Sequence, residues 1–532
     1  MTFQVYDTTL RDGAQQEGIN LSVADKLAIA PLLDELGVGI IEGGWPGAVP
    51  KDTEFFKRAA KELDLKNAEL AAFGATRKAG VRAVDDPQVR ALVDAETPIV
   101  ALVAKTDVRH VERALRTTSD EALAMITDTV AFLVREGRRV VVDAEHFFDG
   151  YRFDPAFGLA AVEAAFAAGA EVVALCDTNG GMLPHWVSDI VGQVRDAVGP
   201  AATLGIHAHN DSGCAVANTL AAVDAGCTHV QGTVNGYGER TGNADLLTVV
   251  ANLELKYDRP VLATLGGGGL RDLTRIAHAI AEITNIAPFH RAPYVGVSAF
   301  AHKAGLHASA IRVDPDLYQH TDPAHVGNDM RMLVSDMAGR ASVELKGREL
   351  GFDLSGRPEV LARITNRVKD AEAQGYTYEA ADASFELLLM DEAGAGRPAY
   401  FTVESWRTII EHRGGPAAPA VAEATVKLTA GGERIVSTGE GNGPVNALDH
   451  ALRQALLKAY PELETFVLVD FKVRILEQQH GTDATTRVLI ETADGERAWR
   501  TVGVGPNIIE AAWEALMEST VWGLHHLGVS PR

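Results

Sequence analysis

The chain has 532 residues, 46% of them hydrophobic and 23% charged, with a formal net charge of −23. That length exceeds what one hydrophobic core organises, so two or three domains are expected. The acidic balance excludes binding of nucleic acid or an anionic membrane through the overall field, and any anionic substrate must be met by local cations. Three cysteines, Cys176, Cys214 and Cys227, match neither a disulfide framework nor a zinc ribbon, which reads as a reducing cytoplasm. Strand-like sequence begins at Phe3, leaving no room for a secretory signal. The Ala-rich stretch 156–176 carries Glu163 and Glu171, so neither secretion by that route nor a membrane span is expected.

Short apolar runs recur about every thirty residues, at 3–7, 38–42, 69–73, 99–104, 139–143, 172–177, 203–207 and 228–233. Between them, Val23–Leu36, Asp52–Leu63, Ser119–Arg135, Pro155–Ala168, Leu183–Ala197 and Cys214–Ala225 read as helices. Eight strands alternating with helices predict a (β/α)8 barrel over 1–265. An open doubly wound sheet is the alternative, but no GxGxxG follows the first strand, and polar clusters follow nearly every strand instead of gathering at one switch point.

Beyond Tyr257 the run Gly266–Gly269 is a break, and helices are expected at Arg271–Ile283, 357–374 and 378–391. Residues 266–397 are read as a helical linker region. From 398 to 532 a unit repeats. Val426–Leu428, Gly432–Arg434, Gly441–Pro444 and a helix Val445–Leu457 are matched by Val488–Ile490, Gly495–Arg497, Gly503–Pro506 and a helix Asn507–Glu518. This is an α+β module with internal duplication. It serves either dimerisation alone or a carboxylate effector held by its Gly-rich turns and helix amino termini.

Chemistry-bearing residues gather after the strands. Tyr6-Asp7-Thr8-Thr9-Leu10-Arg11-Asp12-Gly13 follows the first run, and Gly205-Ile206-His207-Ala208-His209-Asn210-Asp211 contains the seventh. Alternate residues of a strand share a face, so His207 and His209 point together. With the first and seventh strands taken as neighbours in the closed barrel, Asp12 joins them on one divalent cation, with Arg11 beside it. Asn243, ending Gly236-Tyr237-Gly238-Glu239-Arg240-Thr241-Gly242-Asn243, either adds an oxygen ligand or simply closes a glycine turn. An open metal site with an adjacent Arg suits a 2-oxo acid, whose developing oxyanion Arg11 would stabilise. Glu42 lies in the polar cluster after the second strand and is assigned to the substrate pocket. The Thr178 hydroxyl either holds a substrate carboxylate or is a turn residue. Glu145 is either a base for an enolising partner or a solvated loop acid.

These motifs, with Ala304-Gly305-Leu306-His307, resemble the metal-dependent acyl-transferring barrels comprising 2-isopropylmalate, homocitrate and citramalate synthases. Glu42-Gly43-Gly44-Trp45-Pro46-Gly47 and Ala144-Glu145-His146-Phe147-Phe148-Asp149-Gly150-Tyr151 are most similar to the long-form citramalate synthases. 2-Isopropylmalate synthases more often read Glu-Ala-Gly-Phe-Pro after the second strand. The resemblance implies a metal (Mg²⁺, Mn²⁺ or Zn²⁺) held by Asp12, His207, His209 and Asn243, an oxyanion role for Arg11, and pyruvate carboxylate binding by Thr178. It also implies activation of acetyl-CoA by Glu145, and acid–base work near the thioester by His307 and Tyr318. A homodimer is implied, with the linker reaching into the partner's barrel, as is an isoleucine effector at the carboxyl-terminal module. The activity implied is condensation of acetyl-CoA with pyruvate. The alternatives are 2-oxoisovalerate as acceptor, a lyase or aldolase on the same barrel, and an inactive effector-binding protein.

Overall fold

The computed structural model describes residues 3–262, 268–335, 337, 339–394, 396–412, 420–476 and 484–532. Gly266 and Gly267 of the glycine run, and the expected boundary between 265 and 266, lie outside the described residues. The chain divides into two compact units, Met1–Phe300 with Thr321–Asp329, and Ala301–His320 with Met330–Arg532. Among the described residues no helix is long and apolar enough to cross a membrane.

The first unit is the expected barrel. Strands β1 (Gln4–Asp7), β2 (Ile40–Gly44), β3 (Glu69–Ala75), β4 (Ile99–Lys105), β5 (Arg139–Glu145), β6 (Val172–Asp177), β7 (Thr203–Ala208) and β8 (His229–Gly232) close in sequence order. All pairings are parallel, and β8 returns to β1 with Gln4 opposite His229 and Asp7 opposite Gly232. Each strand is covered on both faces, so its sequence is a continuous apolar run instead of an alternating one. Tyr6, Ile40, Ala71, Phe73, Ile99, Ala101, Val141 and Val172 fill the barrel interior, and a larger apolar layer lies between strands and helices.

The closure order corrects one expectation. β1 and β7 are not neighbours, because β8 stands between them and pairs with both. Asp12 reaches the imidazoles from the turn beyond β1.

Helices Val23–Leu36 and Ser119–Arg135 start and stop where their sequence patterns do. Ser22 and Asp25 form a reciprocal capping box on the first. Three further helices of this unit are Pro87–Asp94, Phe147–Phe153 and Leu246–Leu255. Leu246–Leu255 is almost wholly buried. Helix Leu273–Thr284, expected in the linker, belongs to the first unit and packs on Val23–Leu36.

A buried ion pair fixes the turn after β2. Lys26 Nζ lies 2.5 Å from Asp52 Oδ1 and donates to Gly43 O at 2.9 Å, while Trp45 N donates to Asp52 Oδ2 at 2.9 Å. Gly44 (φ +141°) is required here, since a Cβ on it would stand 2.4 Å from the Asp52 carboxylate.

In the second unit, helices Arg340–Glu349, Pro358–Ala373 and Asp382–Ala393 surround Val343, Leu361, Ile364, Phe385 and Leu389. Two three-stranded antiparallel sheets follow, Phe401–Glu411, Val421–Ala430, Glu433–Gly441 and Val467–Ile475, Thr486–Ala493, Ala498–Gly505. Each sheet leads into a helix packed on it, Pro444–Leu456 and Ile508–His526. The duplication therefore has three strands per copy, one more than its sequence repeat displayed.

Removing one member of a buried pair strands the other charge. Asp52→Ala is expected to cost about 3–5 kcal/mol in the urea-unfolding transition of the barrel, and Lys26→Met in the same background to recover most of it. A loss below about 1 kcal/mol would show that the pair contributes no more than an exposed one.

Candidate metal centre

The turn after β1 is wound tightly. Asp7 accepts from Thr9 N at 2.9 Å and from Thr9 Oγ1 at 2.8 Å, and Thr8 O accepts from the backbone N–H groups of Arg11, Asp12 and Gly13. This winding delivers Asp12 to the barrel mouth, 3.2 Å from His207 Nε2 and 3.7 Å from His209 Nε2. The two Nε2 atoms lie 3.3 Å apart. All three residues are buried, and their candidate ligand atoms lie within 4.8 Å of one another. Two nitrogens each about 2.1 Å from one divalent ion stand about 3.0–3.4 Å apart in octahedral or tetrahedral geometry. The spacing fits a shared ion.

Buried partners fix which nitrogen faces inward. Gln231, on β8, donates from Nε2 to Asp143 Oδ1 at 2.8 Å, so its Oε1 accepts from His207 Nδ1 at 2.7 Å. With a proton held on Nδ1, Nε2 is the His207 nitrogen that faces Asp12 and would be offered to a cation. Neither Gln231 nor Asp143 was read as part of the site. The one available signal was a polar residue on the inner face of the last strand.

Asn243 pairs with His209 in an isolated bridge. Its Nδ2 donates to Tyr237 O at 3.0 Å, and its buried Oδ1 has no hydrogen-bond partner among the described residues. A bare, oriented amide oxygen beside His209 suits a fourth ligand. Gly238 (φ +148°) makes room, since a Cβ on it would stand 2.2 Å from Asn243 Nδ2.

Arg11 is clamped beside this cluster. Its Nε donates to Glu42 Oε2 at 2.9 Å, an Nη lies 3.2 Å from Asp12 Oδ1, and the guanidinium covers the Phe73 ring at 3.9 Å. Glu42 is fully buried and also accepts from Thr8 Oγ1, so its Oε2 braces Arg11, while its buried Oε1 has no hydrogen-bond partner among the described residues. Thr178 Oγ1 accepts from His146 N at 2.8 Å, leaving its own proton to donate. His146 has left-handed backbone (φ 59°) and stacks on His110 with ring centroids 3.9 Å apart. Glu145 is half-buried and ion-pairs with Lys105, its register partner at the end of β4; that partner was also missed as a site residue. His307 and Tyr318 stack with centroids 4.1 Å apart in the second unit, not among the barrel residues.

Burial disfavours every charge here, and neighbours decide the outcome. Burial opposes the Arg11 cation, but Glu42 and Asp12 hold its pKa above the ordinary value. Burial opposes ionisation of Asp12 too, yet Arg11 and His207 hold it well below the usual carboxylate range. Against burial, Asp12 raises His207 to about 9. Burial and the charge of His207 push His209 down to about 4.

Because Asp12 raises His207 to about 9, binding of Mn²⁺ at pH 7.5 is expected to release about one proton. Calorimetry in buffers of different ionisation enthalpy measures this, and zero release would contradict the assignment of His207. Gln231→Leu should weaken Mn²⁺ binding about 10–100-fold by freeing the His207 ring.

Comparison with known proteins shows the family of the chain. The HMGL-like family profile matches residues 2–278, the homocitrate synthase post-HMGL domain-like profile matches 294–376, and the LeuA allosteric (dimerisation) domain profile matches 379–521. An (R)-citramalate synthase of Streptomyces coelicolor is 64% identical over 100% of this chain and 98% of its own length. One from Aquifex aeolicus is 47% identical over 98% of this chain and 97% of its own. A 2-isopropylmalate synthase of Pyrococcus furiosus is 30% identical, covering 97% and 98%. By this full-length similarity and by its barrel, the chain belongs to the (R)-citramalate synthase family of HMGL-like proteins.

Proposed function

We propose that the chain is an acyltransferase that condenses acetyl-CoA and water with pyruvate to give (R)-citramalate and CoA. The observation that carries this reading is the buried Asp12–His207–His209 cluster with Arg11 locked against it. Held by those three residues and Asn243, a divalent ion would polarise the ketone of a 2-oxo acid as a Lewis acid. Its mixed nitrogen and oxygen shell suits Mg²⁺, Mn²⁺ or Zn²⁺.

The residues divide the remaining work. Thr178, whose oxygen accepts from His146 N, donates its hydroxyl proton to the pyruvate carboxylate, which can only accept. Glu145, kept close by Lys105, removes a proton from the acetyl methyl group. That carbon bonds the ketone carbon, and the ketone oxygen collects negative charge against Arg11, whose charge Glu42 and Asp12 keep in place. The oxygen is then protonated, and water cleaves the thioester to release CoA. His307 and Tyr318, a stacked pair, supply acid–base groups near the thioester from a linker that enters the barrel of a second copy.

A homodimer is supported by the outer strand of the second sheet. Its odd-numbered residues Val467, Val469, Phe471, Val473 and Ile475 are all apolar and 36–57% exposed, an unpartnered apolar row of the kind interfaces cover. Isoleucine is the proposed effector. A cavity of about 720 Å³ lies against the first Gly-Pro turn and its helix start, lined by Gly443, Pro444, Asn446 and His450 together with Leu468 and Phe471. The second copy contributes its opening strand there, not its own Gly-Pro turn. Action in the cytoplasm, at the start of a route from pyruvate to isoleucine, accords with three free cysteines.

CoA release measured in parallel with pyruvate, 2-oxoisovalerate and 2-oxoglutarate should favour pyruvate. His209→Ala should lower kcat/KM by at least about a hundredfold with its circular dichroism spectrum unchanged. Preference for 2-oxoisovalerate would reassign the acceptor, and turnover surviving in the variant would remove the metal-site reading.

A further inference from the structure

An apolar layer fills the inside of the barrel. Tyr6, Ile40, Ala71, Phe73, Ile99, Ala101, Val141 and Val172 are all buried within it, whereas Trp45 and Val103, which pack on the same cluster, are half-exposed. These two side chains are where the layer meets the mouth.

Trp45 is linked directly to the oxyanion group. Its ring sits edge-on to Phe73, with centroids 5.3 Å apart and planes at 85°, and the face of Phe73 carries the Arg11 guanidinium at 3.9 Å. One aromatic ring therefore separates Trp45 from the cation that meets the substrate ketone. The segment carrying Trp45 leaves β2 only three residues after Glu42, the brace of Arg11.

Its backbone is anchored. Trp45 N is held by Asp52, Asp52 by Lys26, and Lys26 by Gly43 O. The indole Nε1 is buried without a hydrogen-bond partner among the described residues. Indole is the bulkiest of the side chains, so what the ring sets beside Phe73 is chiefly volume.

We infer that Trp45 is a specificity residue which restricts the 2-oxo acid to a small side chain, its ring occupying the space that the branched chain of a larger 2-oxo acid would need. This rests on the reading of Arg11 and its neighbours as the oxo-acid site. An added methylene in an apolar pocket changes kcat/KM about 10–200-fold, so one large ring is sufficient to exclude an isopropyl group.

The test compares wild type, Trp45→Leu and Trp45→Ala with pyruvate, 2-oxobutanoate and 2-oxoisovalerate, alongside calorimetric binding of the same three acids to Mn²⁺-loaded protein. The ratio of kcat/KM for 2-oxoisovalerate to that for pyruvate should rise at least about tenfold in Trp45→Leu and further in Trp45→Ala, with affinities moving in the same order. Trp45→Leu keeps apolar packing on Phe73, so it decides the matter should Trp45→Ala fail to fold. If wild type turns over pyruvate but the ratio stays constant in a folded variant, Trp45 only packs and the inference falls while the proposed function stands. If wild type itself prefers 2-oxoisovalerate, the acceptor assignment and the size limit fall together.

Discussion

Two imidazole nitrogens 3.3 Å apart, with a carboxylate oxygen 3.2 Å from one of them, form the constraint on which the rest of the site depends. Such a group is unstable as three neutral or three charged partners in a buried place, because only a positive charge at its centre satisfies all the lone pairs at once. Against burial, Asp12 favours a proton on His207, and burial with the His207 charge keeps His209 low. A divalent ion would satisfy all three and release that proton.

The surrounding barrel keeps those lone pairs aimed. Gln231 reads Asp143 on one side and His207 on the other, so an amide on β8 sets the tautomer of an imidazole on β7. Glu42 and Phe73, from β2 and β3, hold Arg11 from two directions. Lys26 and Asp52 then fix the turn after β2. Each of these groups is contributed by a different strand end or by the helix behind it, which is how a closed parallel barrel concentrates polar residues at one mouth. Electrostatic catalysis needs such prior ordering, since donors that must reorganise contribute less at the transition state.

Much of this was legible in the sequence, for physical reasons that also explain the gaps. Strands buried on both faces leave continuous apolar runs, so all eight could be placed, and His207 with His209 declared a shared face through the two-residue period of β7. The error about β1 and β7 arose because convergence at a barrel mouth does not require adjacency. A turn such as Thr8–Asp12 spans the intervening strand. Gln231, Asp143 and Lys105 were missed because each acts through a partner distant in sequence, 24, 88 or 40 residues away in the hydrogen bonds or ion pair it makes. Leu246–Leu255 lacked a polar face and hence a helical period. The third strand of each carboxyl-terminal copy was hidden because Phe401–Glu411 and Val467–Ile475 differ in sequence while occupying equivalent places.

The most direct test is crystallographic. A crystal of the full chain grown with Mn²⁺ and measured at the manganese absorption edge should show an anomalous peak about 2.0–2.4 Å from Asp12, His207 Nε2 and His209 Nε2, with Asn243 Oδ1 turned toward it. A peak elsewhere, or none while Asp12 and His207 remain hydrogen-bonded, would contradict the account.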